Sequence, residues 1–120
     1  MLISMETGAS GGVQAQTGTF TISDQASVHV DLPFKAKSLF IMYGVNKTWT
    51  NYSIGLMYDE SISNSTQYRM YHSGSSGGAD TAALPTTSGD FIQNIDSTGF
   101  DFKTTNTSIW AGTYYYSAIG

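Results

Sequence analysis

Hydrophobic and polar residues alternate with a period of two in the first part of the chain, which predicts β-strands with one solvent-facing side. The segments GTFTISD at 18–24 and SVHVDL at 27–32 both show this alternation. Only a short polar turn separates them, so we expect the two strands to form a hairpin. Pro33 ends the second strand because it has no amide hydrogen to donate to a neighbouring strand.

The segment SLFIMYG that follows is apolar on both sides. If it is extended, Leu39, Ile41 and Tyr43 point one way, whereas Phe40 and Met42 point the other way. A strand of this kind needs cover on both of its faces.

The chain closes on a second strand of this type, GTYYYSAIG. Tyr114 and Tyr116 share one face with Ala118, and Tyr115 and Ile119 lie on the opposite face. Only one of the two faces can line the core of a sandwich. The other face would be in contact with water, where an extended apolar patch usually marks a binding surface.

The second faces of these two strands predict a subunit interface formed by Phe40, Met42, Tyr115 and Ile119. Tyrosine suits an interface because it combines a large rigid apolar area with a hydroxyl group for the wet margin. The alternative is that the same chain covers these residues with a loop at 73–90 or with its amino-terminal arm. We expect a homo-oligomer, with a trimer as the favoured form.

Four further segments have strand character: NYSIGLMYDE, TQYRMYH, FIQNID and GFDFKTT. No segment carries an apolar stripe at helical spacing over ten residues. Residues 1–17, rich in Gly, Ser, Thr and Gln, are predicted to be a flexible arm, and residues 73–90 a long loop. The sequence therefore predicts an all-β fold, a single-domain, jelly-roll-like antiparallel β-sandwich of about eight strands over residues 18–120.

Composition narrows the classes of partner. The 120 residues suit one domain, contain no cysteine, and carry a net charge of −4 with only five Lys and Arg. A nucleic-acid partner is not expected because a phosphate backbone would find no basic patch. The start MLISMETGAS lacks the basic and apolar regions of a signal peptide and predicts no membrane segment.

No catalytic or metal-binding constellation is recognisable. His29 lies at a polar position of its strand, and His72 is more typical of a half-buried neutral residue than of a ligand. The G-x-S-x-G matches around Ser10 and Ser76 lie in Gly- and Ser-rich segments without the strand and helix that a nucleophile elbow requires. We expect no enzyme activity, no cofactor and no metal.

A carbohydrate-binding module is the alternative function. The segment NKTWTNY places Trp49 and Tyr52 among amide and hydroxyl side chains, a composition that suits a sugar platform. Trp49 could equally close one end of the core, which is the commoner fate of tryptophan. If Trp49 is part of a sugar platform, the ligand would be a host-surface glycan.

Three segments resemble, in this order, recurring segments of small β-rich structural proteins of tailed bacteriophages: LPFKAKSLFIMYG, IDSTGFDFKTTN and GTYYYSAIG. Phe34, Lys35 and Lys37 match the first of them, whereas Pro33 and Ala36 stand where glycine and proline are usual. Ser117 departs from the closing pattern.

The resemblance implies a virion component, such as a capsid decoration protein, a head fibre or a tail appendage, that assembles with other virion proteins. It implies no catalytic residues. Such a protein would be made in the host cytoplasm and located in the virion. The arm at 1–17 would contact the particle.

Overall fold

The computed structural model describes residues 13–23, 26–43, 53–72, 79–104 and 110–120, with the side chains of residues 71, 72, 79 and 80 outside the description. These residues form nine β-strands and no α-helix. The strands are β1 (Ala15–Ile22), β2 (Ser27–Asp31), β3 (Ser38–Tyr43), β4 (Ser53–Asp59), β5 (Thr66–His72), β6 (Ala79–Pro85), β7 (Phe91–Asp96), β8 (Gly99–Lys103) and β9 (Gly112–Ile119).

The strands form two antiparallel sheets of unequal width. The large sheet has six strands in the order β1-β9-β3-β4-β5-β6, and the small sheet has three in the order β2-β8-β7. The predicted all-β fold of two antiparallel sheets is confirmed. The wider sheet gives the molecule a broad outer surface, on the side that faces away from the small sheet.

Aromatic side chains fill the space between the sheets. Phe20 of the large sheet lies 4.9 Å from Phe102 of the small sheet, measured between ring centroids, and Tyr114 lies 4.6 Å from the same ring. Phe100 meets Tyr116 edge to face at 6.0 Å. Edge-to-face and offset contacts of this kind add to the free energy gained by burial, and they hold the two sheets together without any disulfide.

The predicted faces of β3 and β9 agree with the structure, and β4 alternates in the same way. Leu39, Ile41 and Leu56 are fully buried, and so are Tyr114 and Ala118. The residues between them in sequence point out of the sandwich. Alternation of apolar residues therefore identified which side of each strand faces the core.

The predicted hairpin between the first two strands is wrong. β1 pairs along its whole length with β9, and β2 pairs with β8 in the other sheet. Both strands bury one apolar side, but they bury it from opposite sides of the same core. Period-two alternation shows that a strand has a buried side and carries no information about which sheet it joins.

Two boundaries also differ from the prediction. β6 lies inside residues 79–85, within the stretch predicted to be one long loop, and it pairs with β5 over seven residues. β1 begins at Ala15, three residues before the predicted start. The rest of the predicted arm, up to residue 12, lies outside the described residues.

Two buried glutamines anchor the connection between β6 and β7. Gln67, fully buried on β5, accepts a hydrogen bond from the Ile92 amide at 2.9 Å and donates to the carbonyls of Pro85 and Ile92, both at 2.9 Å. Gln93 donates to the Asp90 carbonyl at 3.0 Å. These bonds join β5 and β7 to the backbone on both sides of the turn between β6 and β7, and they satisfy polar groups of the buried Gln67 and Gln93.

Candidate assembly surface

The outer side of the large sheet exposes an unusual number of apolar side chains. We call this surface the outer apolar face; its members are Phe40, Met42, Met57, Met70, Tyr115 and Ile119. Each is between 40% and 60% exposed. Single exposed apolar residues are normal on protein surfaces, whereas a contiguous group calls for an explanation.

The strand register makes these residues neighbours. Met42 lies directly opposite Tyr115 on one side and Gly55 on the other, and Gly55 in turn lies opposite Met70. Residues that are directly opposite in an antiparallel sheet point to the same side, with Cβ atoms about 4.5–5.5 Å apart. One row of the outer apolar face therefore crosses four strands, from β9 to β5.

A second row runs parallel to the first. Phe40 lies opposite Met57 on β4 and Ser117 on β9, and Met57 lies opposite Tyr68 on β5. In the first row Gly55 contributes no side chain between Met42 and Met70. The two rows form a continuous surface rather than isolated apolar spots.

Charge is nearly absent from this side of the sheet. Among the outward-pointing residues of the six strands whose side chains are described, Asp59 at the end of β4 is the only Asp, Glu, Lys, Arg or His; the side chain of His72, at the end of β5, lies outside the description. The outward positions of β1 are Ala15, Thr17, Thr19 and Thr21, all exposed and uncharged. Depletion of charge with enrichment of aromatic residues and methionine is the composition of a protein interface core.

The structure places all four predicted interface residues, Phe40, Met42, Tyr115 and Ile119, on this face. Their exposed fractions are 48%, 40%, 40% and 44%, so the described part of the chain does not cover them. Their role as an interface stays a prediction. Sequence reasoning missed Met57 and Met70, although the alternation in β4 and β5 places both residues opposite the buried positions.

The outer side of the small sheet is polar. The His29 ring lies between two acceptors, with Nδ1 at 2.7 Å from Asp101 Oδ1 and Nε2 at 3.1 Å from the Thr98 carbonyl oxygen. Asp101 Oδ2 accepts a hydrogen bond from Asn94 at 2.9 Å. The hydrogen bond to Asp101 raises the pKa of His29, and hydrogen bonds from Asn94 and His29 lower the pKa of Asp101.

This cluster has the residue types of a hydrolase triad without its hydrogen bonding. Thr98 Oγ1 lies 3.4 Å from His29 Nε2, but the same hydroxyl donates to Asp96 Oδ1 at 2.6 Å. The imidazole Nε2 is directed to the Thr98 carbonyl as well, so it is not positioned to take a proton from the hydroxyl group. The arrangement acts as a polar clamp that joins β2 to the turn between β7 and β8.

The other predicted site residues have different outcomes. Trp49 and Tyr52, the candidate sugar platform, lie outside the described residues, as does the side chain of His72. The other tryptophan of the chain, Trp110, is buried, with its ring edge-to-face against Tyr43 and Phe91. It closes one end of the core.

Within the described ranges, no three His, Asp or Glu side chains come close enough together to hold a metal ion. The same part of the chain has no helix with the length and apolar content to cross a membrane. Comparison of the chain with protein families, with curated proteins and with solved structures gives no match.

Proposed function

We propose that the protein is a non-enzymatic structural subunit that assembles with copies of itself through the outer apolar face. The single observation that supports this most strongly is the continuous, nearly uncharged patch across four strands of the large sheet. Water contact with such a patch is unfavourable, by roughly 25 cal/mol for each Å² of apolar surface. Association with a second apolar surface removes that cost.

The chemistry of the patch suits a protein partner. Met42, Met57 and Met70 have flexible, polarisable side chains that adapt to an opposing surface, while Phe40 and Tyr115 supply rigid area. The polar outer side of the small sheet, with His29 and Asp101, offers no comparable surface. The difference between the two sides would orient each subunit in an assembly, with the large sheet inward and the small sheet toward solvent.

The resemblance of three segments to bacteriophage structural proteins suggests that the assembly belongs to a virion, as a capsid decoration protein, head fibre or tail appendage. The low charge, 12% of residues, and the absence of cysteine agree with a subunit that relies on packing. Peptide mass spectrometry of particles released by the host that carries this gene tests the placement. Stoichiometric peptides of this chain support it, and particles without them contradict it.

Cysteine footprinting tests the assembly surface. The chain has no native cysteine, so a single introduced thiol reports on one position only. Met57→Cys places the probe in the centre of the outer apolar face, and Ile62→Cys places a matched probe in the turn between β4 and β5, where the side chain is 58% exposed. The alkylation rate of each variant is measured from low to high protein concentration.

We expect the alkylation of Cys at position 57 to slow as concentration rises, while the rate at position 62 stays constant. Burial of the face in an assembly would protect the first thiol and leave the second in water. Equal rates for both thiols at every concentration would contradict the proposal.

A further inference from the structure

The two sheets have four edge strands, and three of them carry features that discourage pairing with another strand. β2 has only five residues, two of them the ionisable His29 and Asp31. β6 contains an Asp and ends at Pro85. β7 has a register shift between Gln93 and Asp96. Short length, charge, proline and bulges are the usual means by which proteins block the edges of their sheets.

The fourth edge, β1, has none of these features. It is eight residues long, with the sequence AQTGTFTI, and it contains no charge and no proline. Its pairing with β9 continues through all eight residues without a shift. Among the described strands β1 is therefore the one long, regular and uncharged edge.

The backbone groups of β1 that point away from β9 can be assigned. The Gly120 amide donates to the Gln14 carbonyl at 2.8 Å, which fixes residue 14 as a hydrogen-bonded partner of residue 120. In an antiparallel pair the direction of these groups alternates along the strand. The even-numbered residues of β1 thus bond to β9. The odd-numbered residues direct their amide and carbonyl groups out of the sheet edge; they are Ala15, Thr17, Thr19 and Thr21.

We propose that β1 is a second assembly surface, which pairs antiparallel with β1 of a second copy of this chain. The pairing would join two six-stranded sheets across a two-fold axis. It uses the strand edge rather than the outer apolar face, so it does not depend on the function proposed above.

The sequence of β1 favours a second copy as the partner. A two-fold axis at Gly18 places Thr17 opposite Thr19 and Ala15 opposite Thr21 on the outer side of the sheet, where all four side chains are small or carry a hydroxyl group. On the inner side it places Gln16 opposite Phe20. In this pairing a charge close to the two-fold axis would lie near its own copy, which is destabilising. β1 has none. The four odd-numbered residues then pair with one another, and each can exchange amide-to-carbonyl bonds with its counterpart.

Thr19→Pro tests this contact. Proline removes the Thr19 amide hydrogen, which points away from β9, and its ring occupies the space that an incoming strand needs. Thr19→Ala is the matched control because it removes the hydroxyl and keeps the amide. Light scattering gives the mass of each variant, and amide hydrogen exchange is measured residue by residue in the unmodified chain.

We expect the wild type and Thr19→Ala to have an even number of copies, and Thr19→Pro to have half the mass or less. In the unmodified assembly the amides of Thr17, Thr19 and Thr21 should exchange about tenfold more slowly, or slower still, than in dilute monomer. If Thr19→Pro does not fold, the hydrogen exchange of these amides tests the edge pairing on its own.

Fast exchange of these three amides at concentrations where the protein is oligomeric would overturn the edge pairing and leave the outer apolar face as the interface. Slow exchange of these amides, combined with a thiol at position 57 that no assembly protects, would support the edge pairing and contradict an interface at the outer apolar face. A chain that stays monomeric at every concentration overturns both proposals.

Discussion

At the scale of single residues, buried polar groups determine the local structure where apolar packing cannot. Gln67 is as buried as any leucine of the core, and its side chain bonds to the backbone of Pro85 in β6 and of Ile92 in β7. His29 performs a similar role at the surface of the small sheet, where it connects Asp101 with the turn at Thr98.

Gln67→Met should destabilise the protein by about 2–3 kcal/mol. The variant keeps the volume, but it removes the acceptor of the buried Ile92 amide and the donor to the Ile92 carbonyl. Gln16→Met is the matched control. Gln16 donates to Tyr116 and to the Asp31 carbonyl from a partly exposed position, where water can replace it. Urea denaturation measures both, and equal small losses would contradict this account of Gln67.

The hydrogen-bonded pair of His29 and Asp101 predicts a specific dependence of stability on pH. Both ring nitrogens face acceptors, so only the protonated imidazole can donate to both of them. Because the pKa of His29 is raised above 6.5 in the folded state, its contribution is fully present below that value and is lost as pH rises through the folded pKa.

The pKa of Asp101 is lowered below 3.8, so its contribution is present above that value and is lost as pH falls through the folded pKa. Asp31 and Asp96 also interact with His29 and favour its charged form. The pair therefore stabilises the fold most between the two ordinary pKa values.

His29→Gln should reduce the loss of stability that the wild type shows as pH rises above 6.5 and through the raised pKa of His29. Denaturation midpoints at several pH values, measured for both proteins, give this difference. If the denaturation midpoints of the two proteins change with pH in parallel, the contribution of the His29 and Asp101 pair does not depend on pH.

At the scale of elements, close backbone approach determines how the strands of the small sheet fit together. β8 begins at Gly99, whose φ of +131° is accessible to glycine and rarely to other residues. A Cβ atom at this position would collide with the Val30 carbonyl oxygen of the neighbouring β2. Glycine at this position allows the turn between β7 and β8 to lie against β2.

Gly99→Ala should destabilise the protein by about 2 kcal/mol or more, since it combines backbone strain with a steric clash. Gly55→Ala is the matched control. Gly55 lies in β4, where an added Cβ would meet only the Met70 carbonyl at 4.0 Å. We expect the control to unfold within about 0.5 kcal/mol of the wild type. Thermal denaturation measures both, and equal losses would refute the role assigned to Gly99.

The sequence predicted the faces of the strands and not their neighbours. Alternation in SLFIMYG and in the closing strand was sufficient to separate the buried Leu39 and Tyr114 from the exposed Phe40 and Tyr115. Alternation could not show that β1 and β2 join different sheets, because each strand buries one apolar side in the same core whichever sheet it belongs to. β6 was missed because its segment, ADTAALP, consists mainly of small residues and has little contrast between its two sides.

Part of the outer apolar face was also predictable from the alternation of residues along the strands. Phe40, Met42, Tyr115 and Ile119 were identified from strands that are apolar on both sides. Their connection with Met57 and Met70 depends on the register of β3, β4 and β5, which no local pattern determines. Gln67 gave no signal, since an isolated glutamine in a strand usually points to solvent.

At the scale of the whole molecule, the unequal sheets produce two different outer sides. The small sheet presents the hydrogen-bonded cluster of His29 and Asp101 to water, and the large sheet presents the outer apolar face. The long uncharged edge at β1 lies on the same large sheet. Both features that favour association thus belong to one of the two layers.

The most direct test of the outer apolar face is the solution mass, measured by light scattering over a wide range of protein concentration. We compare the wild type with the double variant Phe40→Ser, Met57→Ser and with the matched control Ile62→Ser, which removes an exposed aliphatic side chain outside the sheet. The account predicts a multiple of 12.9 kDa for the wild type and the control, and a smaller mass for the double variant. A wild-type mass of 12.9 kDa at every concentration would contradict it.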